Sequence, residues 1–386
     1  MNKNNHLVFL DGLRGLAALY VVIFHAKWFL WHSSSTGPCH EKSYPILGKI
    51  ILYFFTLFNS GHLAVIFFFV LSGFVIHLRY ARQLKEFGEN STFNFMDFIK
   101  RRARRLYPAF LFSILFTFVL DKVGENMGLL TYTNHTLYSS MNDLNNLHVH
   151  DLRTLFGNLL FLMKTYVPVW GTNEPLWSLK YEWWFYMMYP VLWFLSKTSI
   201  ALATLVLIVL FFLSFLKWTY GLELFRVIFS LILAWWSGVL LADVYCKRLN
   251  VSFGQLSFIL FLVPFPLMLY LYRIRMITES SVSLDILCSF IFVGLISFCF
   301  YLQEKKISLH FLEILKPLGD MSYTLYLTHF PIIFFISGLL MSLNPEHTLP
   351  KHCGFVLFGI FATVVFAYFM HFIVEKPFLS SKVIYD

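Results

Sequence analysis

Long apolar runs recur along this chain and restrict it to one class of fold. We count about ten stretches of roughly 17–22 predominantly apolar residues, each long enough to cross a bilayer as a helix. They lie at 13–31, 60–79, 105–121, 176–196, 200–217, 224–244, 253–272, 283–302, 321–341 and 353–374. Hydrophobic residues make up 58% of the 386 positions and charged residues only 13%, a balance too apolar for a soluble protein. Because lipid offers no hydrogen bonds to the backbone, the sequence predicts an all-α integral membrane protein.

Charge and length predict how these spans cross the bilayer. Two apolar stretches, 46–58 and 155–168, are too short for spans, and we expect re-entrant or interfacial helices on the outer side. The connection 80–104 is the most basic, so the positive-inside rule places it, and with it both termini, in the cytoplasm. The formal net charge of +9 is concentrated in loops and reports orientation before any nucleic-acid partner. With no internal repeat or soluble domain apparent, residues 1–386 are expected to form a single membrane domain.

The first span carries Arg14 and His25, ionisable residues that are costly at membrane depth and usually functional. Their separation corresponds to roughly 16 Å along a helix axis and keeps them within roughly 20° of one helix face. Asp11 precedes Arg14 by one helical turn and can pair with it. The alternative is a polar contact between helices, in which His25 donates to a neighbour.

The basic run KRRARRLYP, residues 100–108, is dense for a membrane protein. Arg102 and Arg105 share one face if this stretch is helical, and arginine binds phosphate through two parallel hydrogen bonds. The run therefore predicts a phosphate site for a cytosolic anionic cofactor. The alternative is a topology anchor that also binds anionic lipid headgroups.

Two small residues interrupt the second span. The segment FFFVLSGFVI, residues 67–76, contains Ser72 and Gly73 within an otherwise apolar helix. Small residues allow another helix or a ligand to approach the backbone closely. The pair therefore indicates either close helix packing or a narrow tunnel for a thin ligand.

A carboxylate lies inside the fourth predicted span. The segment PLWSLKYEWWFY, residues 175–186, places Glu182 about 9 Å from the outer end, with Ser178 one turn earlier on the same face. A buried carboxylate in lipid needs a partner, and Arg14 or His25 from the first span is the expected one. The alternative is a purely structural ion pair.

The remaining histidines and cysteines give weaker signals. His329, in SYTLYLTHF, lies about eight residues into the ninth span, where a lone histidine is more often a packing residue. The 14 histidines include no HExxH pair and the five cysteines no metal-binding spacing, so we predict no metal site. Cys39 and Cys353 both fall on the expected outer side, where a disulfide is an open alternative.

Together these segments resemble the acyltransferase 3 family of integral membrane acyltransferases, which includes O-antigen and exopolysaccharide O-acetyltransferases. The matching features, in family order over nearly the whole chain, are Arg14 and His25 with ten residues between them, FFFVLSG, RRARRLYP, WSLKYE, SYTLYLTH and VEKPF. The resemblance implies about ten spans in a bacterial inner membrane, an acyl-CoA donor, usually acetyl-CoA, and a sugar hydroxyl acceptor. Some relatives carry a soluble esterase-like domain after the membrane part. This sequence ends soon after VEKPF, so the acceptor step would fall to the membrane domain or to a separate protein.

From these residues and the resemblance we expect acyl transfer from cytosolic acyl-CoA to a hydroxyl of a cell-envelope glycan or its lipid-linked precursor. The CoA phosphates would bind Arg102 and Arg105 with Arg101, and the pantetheine arm would pass Ser72 and Gly73.

The acceptor side of this hypothesis assigns three roles. His25 would be the general base, since an imidazole pKa suits this near neutral pH. Glu182 would orient His25 or stabilise its protonated form, and Arg14 would hold the geometry with Asp11 or contact the donor. Trp177 and Ser178 of WSLKYE, together with His329, are further candidates. The alternatives are a transporter or flippase whose polar residues line a pathway, and a membrane sensor that binds anionic lipid without turnover.

Overall fold

The computed structural model describes residues 7–32, 46–133, 136–138, 141–142, 149–216, 219, 221–273 and 281–379. Within these ranges the regular structure is helical, with no β-strand. The helices are α1 (Val8–Leu30), α2 (Ile46–Thr56), α3 (Gly61–Phe87), α4 (Phe95–Asn126), α5 (Leu152–Leu159), α6 (Leu179–Thr198), α7 (Ile200–Leu213), α8 (Glu223–Tyr245), α9 (Phe253–Leu262), α10 (Pro264–Arg273), α11 (Val282–Glu304), α12 (His310–Glu313), α13 (Lys316–Asp320), α14 (Ser322–Leu343) and α15 (Gly354–Met370). A π-helical turn, His371–Glu375, continues α15.

Eight helical stretches of this part of the chain are long and apolar enough to cross a membrane, which confirms the predicted all-α membrane fold. They contain α1, α3, α4, α8, α9 with α10, α11, α14 and α15. The fourth predicted span corresponds to α6, which is less apolar because it carries Lys180 and Glu182, and the fifth to α7, with only 14 residues. The count of ten and the cytoplasmic location of the termini stay predictions.

The first short apolar stretch forms a helix, whereas the second is helical only at its start, up to Leu159. The first is α2, and the Lys27 ammonium of α1 donates to the Phe55 backbone carbonyl near its end, at 2.8 Å. The second begins as α5, whose N-cap is Asp151. The Thr154 backbone N–H donates to that carboxylate and thereby lowers the pKa of Asp151. Their interfacial position stays a prediction.

The basic run forms the start of α4 rather than a connection. This helix begins at Phe95, and the Asn94 side chain caps it by accepting from the Asp97 backbone N–H at 3.0 Å. The sequence placed the start of this span at residue 105, so several arginines expected in a loop are helical instead. As a consequence Arg102 and Arg105 are neighbours on one helical face.

Helices α1 and α14 run side by side in the same direction. Their starts approach closely at Gly319, just before α14, where a Cβ would lie 2.0 Å from the Asp11 backbone oxygen. Further along, the Phe29 ring packs against the rings of Phe330 and Phe334, at centroid distances of 5.2 and 6.0 Å. This packing fixes the depths at which the polar residues of the two helices meet.

A buried polar network joins α3, α6 and α8. His77 Nε2 lies 2.9 Å from Asp243 Oδ1, and His77 Nδ1 lies 2.8 Å from the Tyr189 hydroxyl. Arg248 donates to the same Asp243 oxygen at 2.6 Å. Because His77 and Asp243 are fully buried, loss of either partner would leave an unpaired polar group, so the network holds the three helices in register.

Candidate active site

A cavity lies between α1, α3, α4, α6 and the start of α14. It encloses about 920 Å³ when its open end is counted, and its α3 wall runs from Val65 to Ile76. That stretch of helix corresponds to roughly 16 Å along the axis, so the cavity is deep enough for an elongated ligand. Most of the wall is apolar or aromatic. Six residues predicted from the sequence lie on it, namely Arg14, Ser72, Arg102, Arg105, Ser178 and Glu182.

Two arginines of α4 face this cavity without a carboxylate partner. The Arg102 guanidinium lies 5.6 Å from the centroid of the Phe98 ring and 5.7 Å from that of Tyr186, and its Nε is buried without a hydrogen-bond partner. Neither Arg102 nor Arg105 forms a hydrogen bond or salt bridge with a residue in the described ranges. Guanidinium groups with unused donors on a cavity wall are suited to binding an anion.

The neighbouring Arg101 does not lie on the cavity wall. Its guanidinium donates to the Tyr80 hydroxyl at 3.1 Å, which ties α4 to α3. Gly73 is also turned away from the cavity, toward α8. A Cβ at Gly73 would lie 2.1 Å from the Trp235 backbone oxygen, so helix packing, not a ligand tunnel, requires a glycine there. The predicted contribution of Gly73 to the channel is therefore corrected, and only Ser72 of the pair faces the cavity.

Arg14 is fixed at the cavity wall by several partners. It lies 3.1 Å from Asp11 Oδ1, which confirms the predicted pairing one turn apart. It also donates to the Gly319 backbone carbonyl at 2.7 Å and to the Ser322 hydroxyl at 2.9 Å. With its charge compensated by the buried Asp11, Arg14 joins α1 to the start of α14 and has less capacity left for a ligand than the α4 arginines.

Glu182 forms no hydrogen bond or salt bridge with Arg14 or His25, which corrects the predicted pairing. Its carboxylate accepts a hydrogen bond from the Tyr186 hydroxyl, one turn along α6, and faces the cavity. One turn before it, the Ser178 hydroxyl lies 2.8 Å from the Tyr326 hydroxyl of α14. The Tyr326 ring also contacts the His329 ring, at a centroid distance of 5.8 Å. The carboxylate and the imidazole therefore each have a partner of their own.

His25 pairs instead with His329, whose role the sequence did not reveal. His25 Nδ1 lies 3.0 Å from His329 Nε2, and His329 Nδ1 lies 2.7 Å from the Tyr326 carbonyl oxygen and 3.2 Å from that of Leu325. A carbonyl only accepts, so we assign the proton of His329 to Nδ1. His329 Nε2 then accepts from His25 Nδ1–H, and His25 Nε2 keeps a free lone pair. His329 is fully buried, whereas His25 is half-buried.

Two polar clusters near the site were not predicted. Trp177 lies off the cavity wall and stacks on the His62 ring, with a centroid distance of 5.4 Å and an interplanar angle of 18°. His62 Nε2 lies 2.9 Å from a carboxylate oxygen of the buried Asp285. Elsewhere the buried Glu375 of the VEKPF segment accepts from the Thr324 hydroxyl at 2.6 Å, and so supports the first turns of α14. Their partners are distant in sequence, which explains why spacing gave no signal.

The described ranges contain no group of three or more His, Cys, Asp or Glu side chains placed to hold a metal ion. Cys353 forms no disulfide with another cysteine of the described ranges. Cys39, its suggested disulfide partner, lies outside the described residues.

Comparison with known proteins identifies relatives of this chain. The family model described as an acyltransferase domain matches residues 7–371. The chain is 29% identical over 185 residues to the putative peptidoglycan O-acetyltransferase YrhL of Bacillus subtilis (strain 168), which covers 47% of this chain and 23% of that protein. It is 35% identical over 104 residues to the O-acetyltransferase PaAT-1 of Phomopsis amygdali, covering 26% and 20%. It is 32% identical over 107 residues to Protein 2 in picA locus of Rhizobium radiobacter, covering 28% and 41%. The matches thus span less than half the length of these relatives, and no solved structure matches the chain.

Proposed function

This chain belongs to the acyltransferase 3 family of integral membrane proteins, and we propose that it is an acyl-CoA-dependent O-acyltransferase. The donor is acetyl-CoA from the cytosol, and the acceptor is a hydroxyl of a cell-envelope glycan or its lipid-linked precursor. The membrane is the bacterial cytoplasmic membrane, since that membrane meets both the cytosolic donor and envelope precursors.

One observation carries the proposal. The cavity joins Arg102 and Arg105, two cations without a carboxylate partner, to Tyr326 beside the His25–His329 pair. An anionic ligand held at the arginines can therefore extend its uncharged arm past Ser72 toward the histidines. Acyl-CoA has this division, with phosphates at one end and a thioester at the other.

The fit of the donor follows from the chemistry of the wall. Arg102 and Arg105 would hold phosphate groups through charge-assisted hydrogen bonds, which are stronger than those between neutral groups. The single Glu182 carboxylate on the same wall offsets part of their charge while the donor is absent. The apolar remainder of the wall suits a thin, uncharged arm and excludes water from the thioester.

His25 acts as the general base in the proposed reaction. Its Nε2 removes the proton from the acceptor hydroxyl as the oxygen attacks the thioester carbonyl carbon. The carbon–oxygen bond forms, the carbon–sulfur bond breaks, and His25 returns the proton to the departing thiolate, so that free CoA thiol leaves. His329 is a positioning residue, because it accepts from His25 Nδ1 and holds the tautomer with a free Nε2.

The names of the relatives support the acceptor class. Two of them are described as O-acetyltransferases, one of these as a putative peptidoglycan O-acetyltransferase. A hydroxyl of a glycan polymer or of its membrane-bound precursor is the acceptor that fits the second description and a membrane-embedded site.

The proposal is tested by mass spectrometry of envelope glycans from cells with and without the gene, together with release of CoA thiol by the purified protein. A mass difference of one acetyl group that disappears in alkali, accompanied by thiol release, is the expected result. Unchanged glycans and no thioester cleavage would overturn the proposal and favour a transporter, which needs neither.

A further inference from the structure

A second cavity adjoins the first at the end where the basic run of α4 begins. It lies between α4, α13 and the π-helical turn that follows α15, and Arg14 and Arg105 belong to the walls of both cavities. The two spaces therefore meet at these arginines. The donor route described above does not use this second cavity, which we call the side cavity.

The side cavity opens on an apolar surface. Tyr368 and Phe372 line it and are 48% and 45% exposed. They continue a face of α15 whose exposed residues include Leu357, Phe361 and Phe369. In a membrane-spanning helix such a face contacts lipid, so the opening is lateral.

The acidic groups of the side cavity already have partners. Asp320 lies 2.5 Å from the Lys316 ammonium. Glu375 accepts from the Thr324 hydroxyl at 2.6 Å and lies 3.1 Å from His371 Nδ1.

The cations of the side cavity have fewer hydrogen-bond and salt-bridge partners than its acidic groups have. Arg105 has no hydrogen-bond or salt-bridge partner in the described ranges, although Glu375, Glu182 and Asp11 contribute to its electrostatic surroundings. The exposed Lys376 ammonium lies 4.6 Å from the centroid of the Phe372 ring. Two cations beside a lateral apolar opening complement an amphiphile with an anionic head.

We propose that the side cavity binds an anionic phospholipid of the cytoplasmic leaflet. Its phosphate lies between Arg105 and Lys376, and one acyl chain follows Tyr368 and Phe372 onto the exposed face of α15. A zwitterionic lipid is a poorer ligand because its own cation competes for the phosphate.

The shared Arg105 has a consequence for regulation, which rests on the proposed function. A lipid phosphate at Arg105 competes with the phosphates of the donor. Anionic lipid should therefore raise the KM for acetyl-CoA and leave kcat unchanged.

Lipid retention on the purified protein tests the binding proposal without any turnover. Native mass spectrometry would compare phosphatidylglycerol, phosphatidylcholine and soluble glycerol phosphate on the wild type and on Lys376→Gln. The matched control is Lys305→Gln, since the exposed Lys305 also lies over a ring, at 5.6 Å from Tyr301, but outside the side cavity. Phe372→Ala tests the contact with the acyl chain.

We expect severalfold stronger retention of phosphatidylglycerol than of phosphatidylcholine, weakened severalfold by Lys376→Gln and by Phe372→Ala and unchanged by Lys305→Gln. Equal retention of the two lipids, equal loss in the two lysine variants, or glycerol phosphate binding as tightly as the lipid would each overturn the proposal. Failure of the proposed function would appear separately, as absent acetyl-CoA binding in lipid-free detergent.

Discussion

His25 Nδ1 and His329 Nε2 lie 3.0 Å apart, on two helices that are distant in sequence and adjacent in the fold. The Tyr326 carbonyl fixes the far nitrogen of His329, so the hydrogen bonds run in one direction and end at a free His25 Nε2. This relationship turns a titratable residue at membrane depth into an oriented base. It is the feature on which the proposed chemistry depends most.

Replacing His329 with Ala should lower kcat about tenfold or more and leave the KM for acetyl-CoA unchanged, because His25 loses the acceptor that fixes its tautomer. His329→Gln should recover part of the rate, since the amide oxygen can accept from His25 Nδ1. Steady-state kinetics on both variants gives the comparison. Ser337→Ala, on the same helix and also buried, is the control and should keep wild-type kcat. If His329→Ala lost stability but kept its kcat, His329 would be a packing residue with no role in positioning His25.

The basic wall of the cavity gives a second prediction. Arg102→Ala or Arg105→Ala should weaken acetyl-CoA binding by about 10- to 100-fold, the equivalent of one charge-assisted contact. Lys at either position should recover only part of the affinity, because lysine cannot make two parallel hydrogen bonds. Titration calorimetry in detergent provides the measurement, with Arg104→Ala as the exposed neighbour on the same helix. Equal affinity in all three Ala variants would indicate that the basic run of residues 100–108 is a topology anchor and does not bind the donor.

The variant Glu182→Gln tests whether Glu182 acts with Tyr186, its partner in the structure, or with His25, the partner expected from the sequence. Because Glu182 bonds Tyr186 and not His25, the neutral amide should leave the pH dependence of kcat where it is in the wild type. Acetyl-CoA should bind as tightly or more tightly, since one negative charge leaves the wall that receives its phosphates. A displaced pH profile would show instead that Glu182 interacts with the base during turnover.

Gly73→Ala tests the corrected role of that glycine. The added methyl group would meet the Trp235 carbonyl, so α3 and α8 must separate, at a cost of about 1–3 kcal/mol in the free energy of unfolding. The melting temperature should fall while the affinity for acetyl-CoA stays unchanged. Ser72→Ala, one position earlier, adds no atoms but removes the acceptor of the Trp235 indole N–H at 3.4 Å, so it should lower the melting temperature less than Gly73→Ala does. A loss of donor affinity in Gly73→Ala at unchanged melting temperature would indicate that Gly73 lines a tunnel for the donor.

The sequence predicted the fold class because span length and hydrophobicity are local properties. It predicted the Asp11–Arg14 pair for the same reason, since one helical turn fixes their distance. The side of a helix that meets a particular neighbour is not local, so Gly73 was assigned to a channel although it packs on α8. The start of α4 was missed because charged residues hide a helix from a search for apolar runs.

Partner choice across helices was the least predictable part of the site. The sequence predicted a pair of Glu182 with His25 because a carboxylate and an imidazole at membrane depth both need partners. In the structure their partners are Tyr186 and His329 respectively. His329 and His25 both lie in apolar spans, and this shared feature could have indicated that the two histidines pair.

The role of His25 is tested by following a labelled acetyl group from acetyl-CoA to glycan in membranes that contain either wild-type protein or His25→Ala. We predict that the wild type releases CoA thiol in step with labelled, alkali-labile glycan. His25→Ala should bind acetyl-CoA normally and remain folded, yet lose at least about 100-fold in rate. Labelling by His25→Ala at the wild-type rate would show that His25 is not the general base.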